Sequence, residues 1–361
     1  MSVNGKVPAY SAKPVRLTLA KICDTILDET SSHAALSEAL NEWVKLCSEV
    51  TDVCPDLSYD AWAPDSLMKQ GVAINPQAAA QCALDYMRSV IFIRGVYAAI
   101  NTLRVRLCNR PVEILYAGCG PYGTLIVPLL SKFSAGDVKL HLLDIHQASL
   151  TSVMHLINHF GFAGYAVETI NANACDYKHP SLLDLVVAET MQKSLEQEPQ
   201  FAVTANLAAQ LASDGVFIPQ SIEVVLSLAD LANERRCLGS VPAECGHQQI
   251  THDRVELATL CNLSAETALA YVRISQANAH IEPPLLFPSI ISIPDVGNNV
   301  ASLFTRIRVF QQYSLGDYES QITLPLQCHE LSSINRGERY RVSYVLGAYP
   351  KFNFEQLTDG T

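Results

Sequence analysis

The sequence predicts an α/β protein: a parallel sheet covered by helices, with a helical region before it and a β-rich region after it. Three observations carry this reading. From Val112 to about Ser227, short apolar runs alternate with stretches of helical period, the pattern of a parallel sheet with both faces covered. A glycine-bearing turn, Tyr116–Thr124, follows the first predicted strand and opens the first predicted core helix. The 361 residues are 49% hydrophobic and only 17% charged, enough for a large core and about two domains.

Residues 1–110 read as a helical cap. Apolar positions recur at helical spacing through Leu17–Ile26, Ala35–Leu46 and Ala78–Leu107, the last being one long helix or a helix pair. Arg88 and Arg94 interrupt its apolar face, where they either snorkel and pair with carboxylates or face a ligand. Residues 111–228 form the core. Its strands are VEILYA, VKLHLLD, YAVETIN, LDLVVAE and GVFIPQSIEVVL. Between them TLIVPLLSKF, QASLTSVMHLINHFGF and PQFAVTANLAAQLAS have helical period. Sheets of this kind bind ligands at the carboxyl ends of their strands. Residues 229–361 begin with a polar insertion, Ala232–Asp253. ETALAYVRIS, ASLFTRIRVF, YESQITLPLQ and RYRVSYVLGAY come after it and read as antiparallel strands.

Composition excludes several function classes. A net charge of −11 does not suit an extended nucleic-acid surface, so the substrate is expected to be small or basic and no nucleic-acid partner is expected. The eleven cysteines contain no C-x-x-C pair, which fits reduced thiols. No apolar run approaches the ~20 residues that cross a bilayer. A soluble, cytoplasmic protein without a membrane partner is therefore expected, and a homo-oligomer is compatible with it. His155 and His159 stand at helical i, i+4 spacing, but a metal site needs a third ligand and none is marked, so no metal is expected.

The strongest local signal is Y-A-G-C-G-P-Y-G-T. Gly118 and Gly120 permit a tight turn and close approach of backbone to ligand, and Gly123 permits close packing behind it. Taken alone, G-x-G-x-x-G also fits a dinucleotide site. Asp144 ends the second strand, where a carboxylate can accept ribose hydroxyls in either kind of enzyme. Asn171–Tyr177 ends the next strand and suits an adenine contact from Asp176 or a neighbouring amide. Glu189 closes the fourth, followed by Glu196 and Glu198, which either grip a cation or are simply solvated. Cys119 and Cys175 beside these positions read as small packing residues.

The ordered set G-C-G-P-Y-G, L-L-D, N-A-C-D-Y, V-V-A-E and D-G-V-F-I-P resembles the Rossmann-like core of class I S-adenosylmethionine-dependent methyltransferases over roughly 110 residues. The helical region before the core and the β-rich third after it resemble the protein arginine methyltransferase architecture. The resemblance implies S-adenosylmethionine as cofactor. Gly118, Gly120 and Tyr122 would then line its methionine and sulfonium end, Asp144 its ribose and Asp176 its adenine. Arg88, with Arg94 as rival, would meet its carboxylate. Glu189 and Glu196 would correspond to the two glutamates with which that family grips a guanidinium. The spacing is shorter, the loop's aromatic and glycine residues are missing, and the later Thr-His-Trp element is absent, the only tryptophans being Trp43 and Trp62.

The expected activity is therefore methyl transfer to a small, amine-bearing molecule, in specialised metabolism, with Glu189 orienting or deprotonating the acceptor. The alternative keeps the fold but cyclises S-adenosylmethionine itself, giving azetidine-2-carboxylate and methylthioadenosine, as relatives of this architecture do. In that reading Tyr122 or Tyr177 would place a ring face against the sulfonium. A third reading is a binding or scaffold subunit that keeps the fold without the chemistry.

Overall fold

The structure is a computed structural model that describes residues 12–55, 67–108, 110–240, 254–277, 285–294, 299–331 and 337–358. Trp62 and the Val241–Asp253 part of the polar insertion lie outside the described residues. The described residues divide between two compact units, one drawn from Met1–Tyr59 and Asn75–Ala172, the other from Asp60–Ile74 and Asn173–Thr361.

The first unit opens with helices α1 (Ala12–Leu27), α2 (His33–Val50), α3 (Pro76–Cys82) and α4 (Tyr86–Leu107). Ser32 caps α2 by accepting from the Ala35 amide. Asn75 caps α3 in the same way, accepting from Ala78, and Pro76 fills the first helical position. The apolar stretch from Ala78 to Leu107 is thus a helix pair, broken between Cys82 and Tyr86.

Strands β1 (Val112–Ala117), β2 (Val138–Asp144) and β3 (Ala166–Asn171) come next, with α5 (Gln147–His159) between the last two. β1 pairs with β2, and β2 with β3, in parallel. Every residue of β1 is buried except Glu113, and every residue of β2 except Lys139, as expected for strands covered on both faces. Trp43 of α2 is fully buried and stacks on Phe160 at 5.7 Å between ring centroids.

The second unit contains β4 (Leu183–Ala188) and β5 (Leu211–Ile218), also parallel, with α6 (Gln200–Ala208) between them. Within the first unit the strand order is β3-β2-β1, with β2 in the middle, and within the second β4 lies beside β5. Next come β6 (Ser221–Ala229), α7 (Leu231–Ser240), β7 (Val255–Leu263), α8 (Ala265–Ala277), β8 (Leu286–Ser292), β9 (Val300–Phe310), β10 (Arg339–Val345) and β11 (Lys351–Leu357). β9, β6 and β7 form one antiparallel sheet, and β8, β10 and β11 another. In the first of these the Arg254 guanidinium lies 3.6 Å from the centre of the Phe304 ring and 3.0 Å from Glu234, in a buried pair.

Four expectations are corrected. TLIVPLLSKF forms no α-helix; its only helical turn is a 3₁₀ segment at Val127–Ser131. Pro128 has no N–H to give and its ring disfavours α geometry in the residue before it, so an α-helix cannot run through from Thr124. GVFIPQSIEVVL is two strands, since the chain turns at Pro219 and β6 leaves for the antiparallel sheet. ETALAYVRIS is helix α8, not a strand. Ser264 and Thr267 cap it reciprocally, each accepting from the other's amide at 3.2 and 2.8 Å, and alanines propagate it. YESQITLPLQ is mostly a 3₁₀ turn at Gln321–Thr323, with only Leu326–Gln327 in a strand. Here Ser320 and Thr323 form the capping box that ends any strand.

Candidate functional site

The glycine turn after β1 is built by its own amides. The Gly118 and Cys119 N–H groups both donate to the Leu143 carbonyl near the end of β2, at 2.8 and 3.2 Å. Gly120 donates to Asp144 Oδ2 at 2.9 Å, and His146 N–H to Asp144 Oδ1 at 2.8 Å. One buried carboxylate therefore ties the turn to the start of α5. Gly118, Gly120 and Gly123 all have left-handed backbone, with φ of 69°, 62° and 54°. Among the described residues a Cβ on Gly120 would meet only Ala79, at an ordinary contact distance of 3.5 Å, so the backbone there is open to close approach.

Gly123 serves packing. A Cβ there would lie 2.7 Å from Val127 and 2.9 Å from Val153, on top of the left-handed φ. Gly123→Ala should destabilise the protein by about 2 kcal/mol, the scale of overpacking plus αL strain, and lower Tm in a thermal melt. An unchanged Tm would mean that the turn is not tightly packed behind its ligand face.

Sequence-predicted residues of this unit divide into two groups. Gly118, Gly120 and Asp144 come together. Tyr122 turns away: its side chain is buried, its hydroxyl donates to the Val53 carbonyl at 2.7 Å and meets Ser48 Oγ at 2.9 Å, and burial pushes its pKa up to about 12. It anchors the turn to the end of α2. Arg94 is also committed, its Nε and Nη2 donating to the Ile26 and Asp28 carbonyls at 2.6 and 2.8 Å, at the C-terminal end of α1. Arg88 stands half-buried in the first turn of α4. Burial and the Asp144 charge raise the Cys119 thiol well above its usual range, as suits a packing residue.

In the second unit, Asn173 organises the Asn173–Tyr177 turn, accepting from the Cys175 amide through Oδ1 and from the Asp176 and Tyr177 amides through its carbonyl. Asp176 is exposed and takes a hydrogen bond from Asn173 Nδ2 at 3.2 Å. The Tyr177 hydroxyl meets His179 Nδ1 at 2.9 Å. Burial, then the Asp176 charge, raises Cys175 to about 12.

Glu189 follows β4 directly and is half-buried. Its backbone is held on both sides by one fully buried side chain: Gln200 donates to the Ala188 carbonyl at 3.0 Å and accepts from the Thr190 amide at 2.8 Å. Gln200 opens α6, which Phe201 seats against Tyr271 of α8. Sequence reasoning missed Gln200; a glutamine among apolar residues at a helix start was the available signal.

The loop that carries Glu196 is strained. Ser194, Leu195 and Gln197 have φ of 57°, 60° and 67°, unusual for residues with a Cβ. Thr305 accepts from the Ser194 amide, Tyr344 donates to the Leu195 carbonyl, and the Pro350 carbonyl accepts from Gln197, so neighbouring elements impose the conformation. Burial, and then the Glu330 charge, raise the Glu196 carboxyl above its ordinary value, with Lys351 opposing. Glu198 is buried nearby in sequence.

No protein-family model and no curated protein matches the chain. Among solved structures it is similar to the Trypanosoma brucei PRMT1 enzyme–prozyme heterotetrameric complex with AdoHcy, at 13% identity and a TM-score of 0.46, over 77% of this chain and 96% of that one. It is also similar to Arabidopsis thaliana protein arginine methyltransferase 10 in an open conformation, at 12% identity and a TM-score of 0.46, over 74% of this chain and 87% of that one. A likeness at this level speaks to neither substrate nor activity. Among the described residues, no helix is long and apolar enough to cross a membrane.

Proposed function

We propose that this chain is an S-adenosylmethionine-dependent enzyme that transfers a methyl group to a small, amine-bearing molecule. The observation that carries the reading is the Gly118–Gly120 turn fastened to Asp144 at the end of β2. A carboxylate offers about four acceptor positions. Amides take two here, which leaves acceptor capacity for ribose hydroxyls. The absence of an α-helix after the turn favours a nucleoside over a dinucleotide, because a pyrophosphate relies on a helix N-terminus that Val127–Ser131 does not supply.

Gly118 and Gly120 would hold the amino-acid part of the cofactor, Asp144 the ribose and Asp176 the adenine, with Arg88 for the carboxylate. Tyr122 and Arg94 have other duties. S-adenosylmethionine supplies a methyl group already activated on a sulfonium, so the protein's share is to align the acceptor and keep water out. Glu189 is the residue for the acceptor: a carboxylate at a strand's carboxyl end with its backbone clamped by Gln200 can hold an ammonium or take a proton from it.

Purified protein incubated with S-adenosylmethionine and a panel of small amines should yield S-adenosylhomocysteine only where an acceptor is present, read by mass spectrometry. Methylthioadenosine and azetidine-2-carboxylate formed from S-adenosylmethionine alone would replace methyl transfer with intramolecular cyclisation. Binding without any product would make the chain a non-catalytic subunit.

A further inference from the structure

Resting on that reading of the turn, we propose that His146 is a second ribose-binding residue, which accepts a hydrogen bond from a ribose hydroxyl through Nε2. His146 is the N-cap residue of α5, but its side chain makes no capping hydrogen bond. Nδ1 lies 3.4 Å from Asp144 Oδ1, the same oxygen that accepts from the His146 amide. A carboxylate beside Nδ1 favours the tautomer with the proton there and leaves a lone pair on Nε2. That atom is buried and has no hydrogen-bond partner among the described residues. A buried polar atom left without a partner is costly, and in native structures such an atom meets an ordered water, an ion or a ligand, or serves a strained or catalytic site.

The surroundings specify which ligand group fits. An acceptor nitrogen next to a carboxylate that is itself an acceptor calls for a ligand with adjacent donors, and the vicinal hydroxyls of a ribose are such a pair. The position is also rigid. Asn171 Nδ2 donates to the Asp144 and Ile145 carbonyls at 3.1 and 2.8 Å, and the Ala172 amide donates to Asp144 O at 3.2 Å. The backbone carrying the imidazole is therefore pinned by the neighbouring strand β3, so binding orders little that is not already ordered.

The test is calorimetric titration of S-adenosylhomocysteine and its 2′-deoxy and 3′-deoxy analogues into wild type, His146→Ala and His146→Gln, with thermal melts of each ligand-free protein. Wild type should bind at least one deoxy analogue ~10-fold more weakly than the parent, the scale of one lost hydrogen bond in addition to Asp144's contribution. His146→Ala should lose ~10-fold in parent affinity and at least threefold of that discrimination, and His146→Gln, whose amide oxygen reaches about as far as Nε2, should recover part of both. The ligand-free Tm of His146→Ala should change little, because the substitution gives up only the long 3.4 Å Nδ1–Asp144 contact and removes the unpartnered Nε2 with it. Equal losses for parent and both analogues, or a lowered ligand-free Tm with unchanged discrimination, would make His146 a structural residue and overturn the proposal. Wild type that binds none of the three nucleosides would overturn the reading of the glycine turn itself, and this proposal with it.

Discussion

Replacing Asp144 by alanine should weaken S-adenosylmethionine binding by about 2–3 kcal/mol, roughly 30- to 150-fold, the worth of charge-assisted hydrogen bonds lost from a buried site. The same carboxylate accepts from the Gly120 and His146 amides, so the substitution strips the turn as well as the ligand. Ligand-free stability should therefore drop too, by about 1–3 kcal/mol, because both amides lose their acceptor. Asp144→Asn separates the two effects. It keeps one oxygen and the shape, but turns an NH₂ toward one of the two amides, donor against donor. Its Tm should therefore lie between wild type and alanine, while its affinity stays low because the charge is gone. Calorimetry and thermal melts on the three proteins check this. Wild-type affinity in Asp144→Ala would show that the end of β2 is not the nucleoside site.

Glu189→Gln should lower turnover by ~10²-fold or more and leave cofactor affinity within a few-fold, the signature of a lost acid–base or cation-holding group. The clamp on its backbone comes from Gln200, whose bonds to Ala188 and Thr190 do not involve the Glu189 carboxylate. The clamp should therefore survive the substitution, and a loss of turnover with Tm unchanged belongs to the side chain. Steady-state kinetics with the acceptor found in the panel, alongside binding and melting data, is the measurement. Intact turnover would leave Glu189 a structural residue and move the search for the acceptor site elsewhere.

Much of the core was legible from local pattern. Four of the five predicted strand segments, VEILYA, VKLHLLD, YAVETIN and LDLVVAE, coincide with β1 to β4: β1, β2 and β4 because both faces of a covered parallel strand must be apolar, and β3, which has no buried residue, by its apolar–polar alternation. The β-rich end was read less well. ETALAYVRIS has a surface alternation of apolar and polar residues that imitates a strand, whereas its Ser-x-x-Thr cap and its alanines belong to a helix. The 3₁₀ turn at Val127–Ser131 shows the reverse error, in which helical apolar spacing was overruled by a single proline.

The sequence by itself determined the α/β character of the core, the glycine turn and the acid that ends β2. Each rests on residues within one turn or one strand, where backbone sterics and hydrophobic period act locally. Tertiary structure alone decided how the polar side chains are used. Tyr122 stands in the motif, yet its hydroxyl is spent on Val53, 69 positions away, and Arg94 is spent on the Ile26 carbonyl, 68 positions away. A buried phenol or a half-buried guanidinium finds its partner wherever the fold brings one, and that partner leaves no mark in the neighbouring sequence. His146 is the converse case. The sequence shows a histidine two residues after an acid, and only the folded protein shows that its Nε2 is buried without a partner among the described residues.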